Sequence, residues 1–423
     1  MFRHVLRRYS STSSPIETLR KVTFPSVPTT PPPTSPTVYV TDDEFAKYVK
    51  PLHWFRWSIV HFNRNLYLTP DGELRSGVFS SPYLQRTLHF RGVVGTKEFL
   101  RDLIEIVQSG SKEEGATHEP FVAIRPFGTS QESYRVAVFS GTHRCQDAPS
   151  LLNAEGTRVG PGISLHDARL AIVVERVFTD YVRAGRGFET PWKCRNIPRN
   201  VGDVKGRQRK ADEALIRKEG GWYDAMTTPD LGGVTPLPIP EVPVEVGDEV
   251  CTDEEFARVI RPLYTRGWYM VYNNVTRKGG DGQVVLEKQP VLNGFFRFTS
   301  FEAAMGFSQE VLDLARVEKV GAMLWVDAQT VTVQGPAWDR GKGGGGGVMK
   351  VEARFAVLVE EKFVKEYGKW ARASSVVGMK FLSQPESVES VKTHPAAQMA
   401  NGPSRYMQRK WSRIVGASQR DSP

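Results

Sequence analysis

The residues best suited by type to proton-transfer chemistry are two histidines. An imidazole titrates near neutrality, so it can give or take a proton at working pH. Of the eight histidines, His118 sits in Glu114-Gly-Ala-Thr-His118-Glu119-Pro120 after a helical stretch, and His143 ends a strand-like run as Thr142-His143. A lone histidine is more often structural than chemical. Joint position, one after a helix and one at a strand end, is what singles these two out. His53, His61, His89, His166 and His394 have no such context and are expected to be structural or solvated. Cysteine chemistry is not expected. Cys145, Cys194 and Cys251 lie far apart with no CxxC pair, which excludes a disulfide framework and a cysteine zinc site and fits a reducing compartment. The glycine-rich run from Asp339 to Gly347 lacks the G-x-x-x-x-G-K-[S/T] spacing of a phosphate loop and is expected to be an inserted loop. No metal cluster is apparent, and no cofactor is expected.

The elements that must hold these residues are legible as a repeat. Residues 41–57 (TDDEFAKYVKPLHWFRW) and 252–268 (TDEEFARVIRPLYTRGW) are identical at eight of seventeen positions without a gap. Residues 167–178 (DARLAIVVERVF) align in the same way with 352–363 (EARFAVLVEEKF). Agreement at both ends, with variable loops between, means two copies of one unit. Each copy opens with a Thr N-cap and an acidic first turn, which predicts a short helix. Strand-like runs follow around Trp57–Leu68 and Leu84–Phe90, and around Trp268–Val275 and Val284–Phe298, with turn residues between them. Phe301, Ala304, Phe307, Val311, Leu314 and Ala315 then recur at helical spacing. Two more strands, such as Tyr134–Phe139, and closing helices over 164–181 and about 350–367 complete the order α-β-β-α-β-β-α. That order predicts an α+β fold of two tandem domains, each a four-stranded antiparallel sheet with helices packed on one face.

Composition divides the chain around these blocks. Residues 1–14 (MFRHVLRRYSSTSS) are basic, Ser-rich and free of acid, the pattern of a mitochondrial presequence, with Arg7-Arg8-Tyr9-Ser10 resembling a matrix-protease cleavage site. The presequence and the start of a linker occupy 1–22, and a Pro/Thr/Ser linker spans 23–38. The first block covers 39–185, a basic then Pro/Gly-rich linker 186–248, the second block 249–372, and a polar to basic tail 373–423. No stretch approaches the roughly 18 apolar residues of a membrane-spanning helix, so no membrane association is expected. The net charge of +9 leaves room for an acidic partner. Residues 195–218 hold eight Lys or Arg, and 404–416 interleave Arg405, Arg409, Lys410 and Arg413 with Tyr406 and Trp411. Both segments are candidates for RNA contact through backbone charge and base stacking.

Taken together, the two blocks resemble the pterin-4a-carbinolamine dehydratase family. That family's pattern runs from a Trp strand to F-x-F-x-x-F-x-x-A-x-x-F entering a helix, then Glu-x-x-x-His-His-Pro. A strand ending in Thr-His follows, and Gly-Leu-Ser/Thr-x-x-Asp opens the last helix. The second copy carries the aromatic part as Phe296, Phe298, Phe301, Ala304 and Phe307. The first carries it loosely as Leu88, Phe90, Val93, Thr96 and Phe99 and holds the chemical part: Glu114 to Pro120, Thr142-His143, and Gly162-Ile-Ser-Leu-His-Asp167. In the second copy Arg316 stands at the Glu position and Val320-Gly321-Ala322 at His-His-Pro.

The resemblance implies removal of water from a 4a-hydroxytetrahydropterin to give the quinonoid dihydropterin, a step of pterin recycling. It implies His118 and His143 as the proton-transferring groups, with Glu114, Pro120 and Asp167 orienting them or the pterin, and no metal. Glu119 occupies the family's second His position, so it joins the candidate catalytic set as a carboxyl that would need a raised pKa. Members of the family associate through sheet edges, so an internal pairing of the two copies as a pseudo-dimer is expected. The alternative is a dehydratase-like mitochondrial protein without turnover, associated with RNA or a ribosome.

Overall fold

A computed structural model of the chain describes residues 24–31, 34, 36–68, 74–114, 118–127, 133–146, 159–190, 197–219, 239–242, 249–278, 284–335, 347–367, 387 and 389–390. Each half opens with a helical turn capped in the same way. Thr41 and Glu44 form a capping box, as do Thr252 and Glu255, so the exposed backbone N–H groups of the first turn find acceptors. Each turn then widens into a π-helical segment, Phe45–Val49 and Phe256–Ile260, just before Pro51 and Pro262. The wider turn gives the proline ring room where an α-helical carbonyl would clash with it. Both openings end in a left-handed residue: Arg56 at φ 69° and, at the equivalent position, Gly267 at φ 88°. Glycine adopts that backbone freely, whereas Arg56 is held there by its ion pair with Glu189 at 2.6 Å.

In the first half β2 (Ser58–Leu68) and β3 (Leu74–Arg91) precede α1 (Gly92–Glu114), and β4 (Phe121–Pro126) and β5 (Ser133–Ser140) precede α2 (Leu165–Arg183). The segment before α2 adds β6 (Thr142–Gln146) and β7 (Val159–Gly162), which join β1 (Thr37–Val38) in a small three-stranded sheet. β8 (Gly187–Phe188) pairs with β3, and α3 spans Val201–Glu219. The second half repeats the plan with β9 (Trp268–Lys278), β10 (Val284–Arg297), α4 (Phe301–Val317), β11 (Met323–Asp327), β12 (Thr330–Gln334) and α5 (Lys350–Tyr367).

The class is α+β, but two separate four-stranded sheets are not what forms. One nine-stranded sheet runs β2-β3-β5-β4-β11-β12-β10-β9, with β8 beside β3. The cause is the open edge each half would otherwise leave. β4 and β11 pair antiparallel from Phe121 opposite Asp327 to Ile124 opposite Leu324, so both edges gain ladder hydrogen bonds. On the helix side, α1 and α4 run antiparallel across the same junction. Lys97 pairs with Asp313, and Gln108 donates to Glu302 at 2.9 Å. A single apolar core beneath the helices includes Leu88, Phe90, Phe99, Val122 and Phe178 from the first half and Leu324, Phe296, Phe307, Val311 and Phe355 from the second. Each half also buries a carboxylate under its tryptophan. Trp57 donates to Glu175 at 2.9 Å, backed by Arg86, and Trp268 to Glu360 at 3.1 Å, backed by Arg266.

Two stretches read as linkers carry packed structure. In 23–38, Phe24 lies 4.2 Å from the ring of Phe55, and Arg176 donates to the Pro25 carbonyl at 3.0 Å. Extended proline-rich backbone has no periodicity, yet it can lie along a helix as a strap. In 186–248, α3 buries Val201, Val204 and Gln208 along one narrow stripe, and Gln208 donates to the carbonyls of Ser80 and Pro161, both at 3.0 Å. The presequence segment and the 404–416 segment lie outside the described residues.

Candidate active site

Asp167 is the fixed point of the site because the start of α2 requires it. Ser164 is the N-cap and Asp167 stands three residues on, where its carboxylate accepts the Ser164 backbone N–H at 2.7 Å and meets the positive end of the helix. Two further segments reach the same carboxylate. β5 ends at Ser140, whose hydroxyl donates to Oδ1 at 2.7 Å. β6 begins at Thr142, whose hydroxyl donates to Oδ2 at 2.8 Å. The segment leading into β4 then brings His118, with Nε2 2.6 Å from Oδ1 and 3.0 Å from the Ser140 hydroxyl.

The electrostatics follow from that geometry. Asp167 has no exposed surface, and burial alone would favour its neutral form. His118, the Ser164 N–H and Ser140 outweigh burial and hold the carboxyl at about 2, so it is ionised across the physiological range. Ionised Asp167 accepts only, so Nε2 of His118 is the donor, and in the neutral ring Nδ1 is then the acceptor nitrogen. The His118 side chain keeps 24% of its surface exposed, so the ring meets solvent on one side and a buried anion on the other.

The second half shows which part of this arrangement is only a helix cap. Glu352 stands at the position of Asp167, is 1% exposed, and accepts the Met349 backbone N–H at 3.1 Å. Val320 and Gly335 stand where the first half has His118 and Ser140. A buried acid therefore caps the last helix in both halves, and the imidazole is the addition peculiar to the first.

The remaining candidates are dispersed. Glu119 is half-buried, and burial first, then the like charge of Asp327, raises its carboxyl, against the pull of His118. Asp327 belongs to β11, so a charge of the second half acts on Glu119. Pro120 is buried at the entrance to β4. Glu114 ends α1 and His143 lies on β6, and the side chains of both are outside the described residues. The structure thus brings His118 and Asp167 into direct contact, with Glu119 and Pro120 adjoining in the chain.

Sequence reasoning set aside His166, which is buried with its ring 6.3 Å from that of His118. It also passed over Ser140. The readable signal was the spacing Ser164-x-x-Asp167, a capping box that fixes where the following helix begins. Cys145 lies close by, but burial and then Asp167 push its thiol well above the usual range, so it is not a thiolate nucleophile. No known protein family, curated protein or solved structure matches this chain.

Proposed function

We propose that the first half is a 4a-hydroxytetrahydropterin dehydratase, of the family the sequence resembles, and that the second half is its packing partner. The observation that carries this reading is the His118–Asp167 contact of 2.6 Å: an imidazole tied to a buried, ionised carboxylate, within the segment that resembles Glu-x-x-x-His-His-Pro. In the reaction the N5–H and C4a–O bonds break and an N5=C4a double bond forms. The hydroxyl gains a proton and leaves as water. With Nε2 held by Asp167, Nδ1 of His118 takes the N5 proton, and Asp167 stabilises the imidazolium that results. The departing hydroxyl takes its proton from His143, as the resemblance implies, or from Glu119, which burial keeps protonated to higher pH than an ordinary carboxyl.

The test is dehydration of a 4a-hydroxytetrahydropterin by the full chain. His118→Ala should lower the rate by about two to four orders of magnitude, the usual scale for a general acid or base. A wild-type chain that does not accelerate the reaction, or a variant at full rate, overturns the reading. The basic, Ser-rich, acid-free pattern of residues 1–14 supports import into mitochondria. N-terminal sequencing of the endogenous protein should show loss of roughly the first 9–20 residues, and an intact Met1 in a cytosolic fraction would refute import.

One observation favours the second reading, an RNA- or ribosome-associated protein without turnover. Arg199, Arg207 and Lys210 line a groove of about 530 Å³ along α3 together with Asp203. RNA binding that weakens steeply with salt, by a chain without dehydratase activity, would select it.

A further inference from the structure

The sheet face turned away from the helices carries a row of basic side chains that no acid among the described residues matches. Strand register sets it: His89 of β3 stands directly opposite Arg135 of β5, and Arg135 directly opposite Arg125 of β4. Their neighbours Val136, Val138, Val122 and Ile124 point to the helix-covered core, so by the alternation of a strand these three point to the other face. Phe188 of β8 pairs with His89, and Phe127 packs edge-on against the His89 ring at 4.7 Å. The Arg135 guanidinium lies 6.0 Å from the centre of the Phe127 ring.

Such a row is costly as it stands. Arg135 is 9% exposed and its Nε has no hydrogen-bond partner. Among the described residues no carboxylate pairs with Arg125 or Arg135, while Glu175 and Glu189 are engaged by Arg86 and Arg56. Like charges directly opposite in a ladder repel, and burial removes the water that would screen them. Burial and then Arg135 draw Arg125 down to about 8, and burial and then the surrounding arginines draw His89 down to about 3. Guanidinium groups hold their charge nonetheless, so what the row lacks is an anion.

We propose that Arg125 and Arg135 form an anion site on the sheet face turned away from the helices, and that it takes a phosphate group. Two planar forks on adjacent strands can each give two parallel N–H donors to one tetrahedral oxyanion, and a dianion neutralises both. The flanking rings of Phe127 and Phe188 wall the site on one side. It lies at the opposite end of β4 from His118 and on the opposite face from Asp167, so it does not depend on the dehydratase reading. The phosphate has two sources, free in solution or as the ester of a single-stranded nucleic acid.

The full chain, with Arg125→Gln and Arg135→Gln variants, is titrated with inorganic phosphate and with an eight-nucleotide oligouridylate, each against potassium chloride at equal ionic strength. Phosphate should raise the Tm of the wild type, and each variant should lose at least about tenfold in phosphate affinity. Oligouridylate that binds tighter than phosphate, with the gain lost in Arg135→Gln, assigns the ester source. Equal or weaker binding assigns the free anion. In phosphate-free buffer the variants should melt at or above the wild-type Tm, because an uncompensated charge has been removed. The proposal fails if phosphate stabilises the wild type no more than chloride, or stabilises both variants equally. It also fails if the variants melt well below the wild type without phosphate, which would show that the arginines already have an internal partner.

Discussion

Replacing Asp167 with Asn preserves shape and removes charge, and the structure sets the size of the effect. A carboxyl held at about 2 instead of its ordinary 3.8 favours the folded state once ionised, by about 2 kcal/mol at about 1.4 kcal/mol for each tenfold change in proton affinity. The shift is downward, so this contribution is fully present above pH 3.8 and is lost as pH falls from there through about 2. The amide adds a second cost. Its NH₂ would face donors on whichever side it pointed, since His118 and Ser140 supply Oδ1 and Thr142 and Ser164 supply Oδ2. One mismatched buried donor costs about 1–3 kcal/mol. Asp167→Asn should therefore lose about 3–5 kcal/mol at pH 7. Urea denaturation measured at intervals between pH 7 and pH 2.5 is the assay. The gap between wild type and variant should be full at pH 7 and narrow below about pH 4. A gap smaller than about 1 kcal/mol at pH 7, or one that stays constant down to pH 2.5, would refute the reasoning.

Two further outcomes are expected. Asp327→Asn removes the like charge beside Glu119, so the Glu119 carboxyl should move down toward its ordinary value in an NMR titration, and an unchanged titration would separate the second half from the site. Residues 24–219 produced alone leave the β4 edge and the α1 face uncovered, and should self-associate or melt low. Adding residues 239–367 should restore a stable one-to-one pair by light scattering, and a fragment whose Tm ignores its partner would contradict this.

Much of the fold was legible because it is local. Thr41 and Thr252 announce the opening turns, and the spacing of Phe301, Phe307 and Val311 announces α4. Which strands meet at the junction was not legible, because FVAIRP and MLWVD read as ordinary strands and nothing within either specifies the other as its neighbour. α3 escaped for a different reason. Its buried stripe is only Val201, Val204 and Gln208, too narrow to stand out among the lysines and arginines around it. Within the site, His118 and Asp167 were visible by motif, whereas Ser140 and His166 matter only through the packing of β5 and α2 against the segment before β4.

The β4–β11 junction has a consequence for symmetry. Ala123 pairs with Trp325, its own counterpart in the repeat, and Arg101 donates to Gln309, again its counterpart, at 3.4 Å. These are the positions that lie on the local two-fold axis. In a dimer of identical subunits each would meet itself: alanine on alanine would leave a gap, tryptophan on tryptophan would need twice the room, and arginine on arginine would repel. Within one polypeptide the two surfaces need not be self-complementary, and they meet in a small-against-large, charged-against-neutral fit. A chain that closes upon its own second half thus offers each half a fit that a copy of itself would not supply.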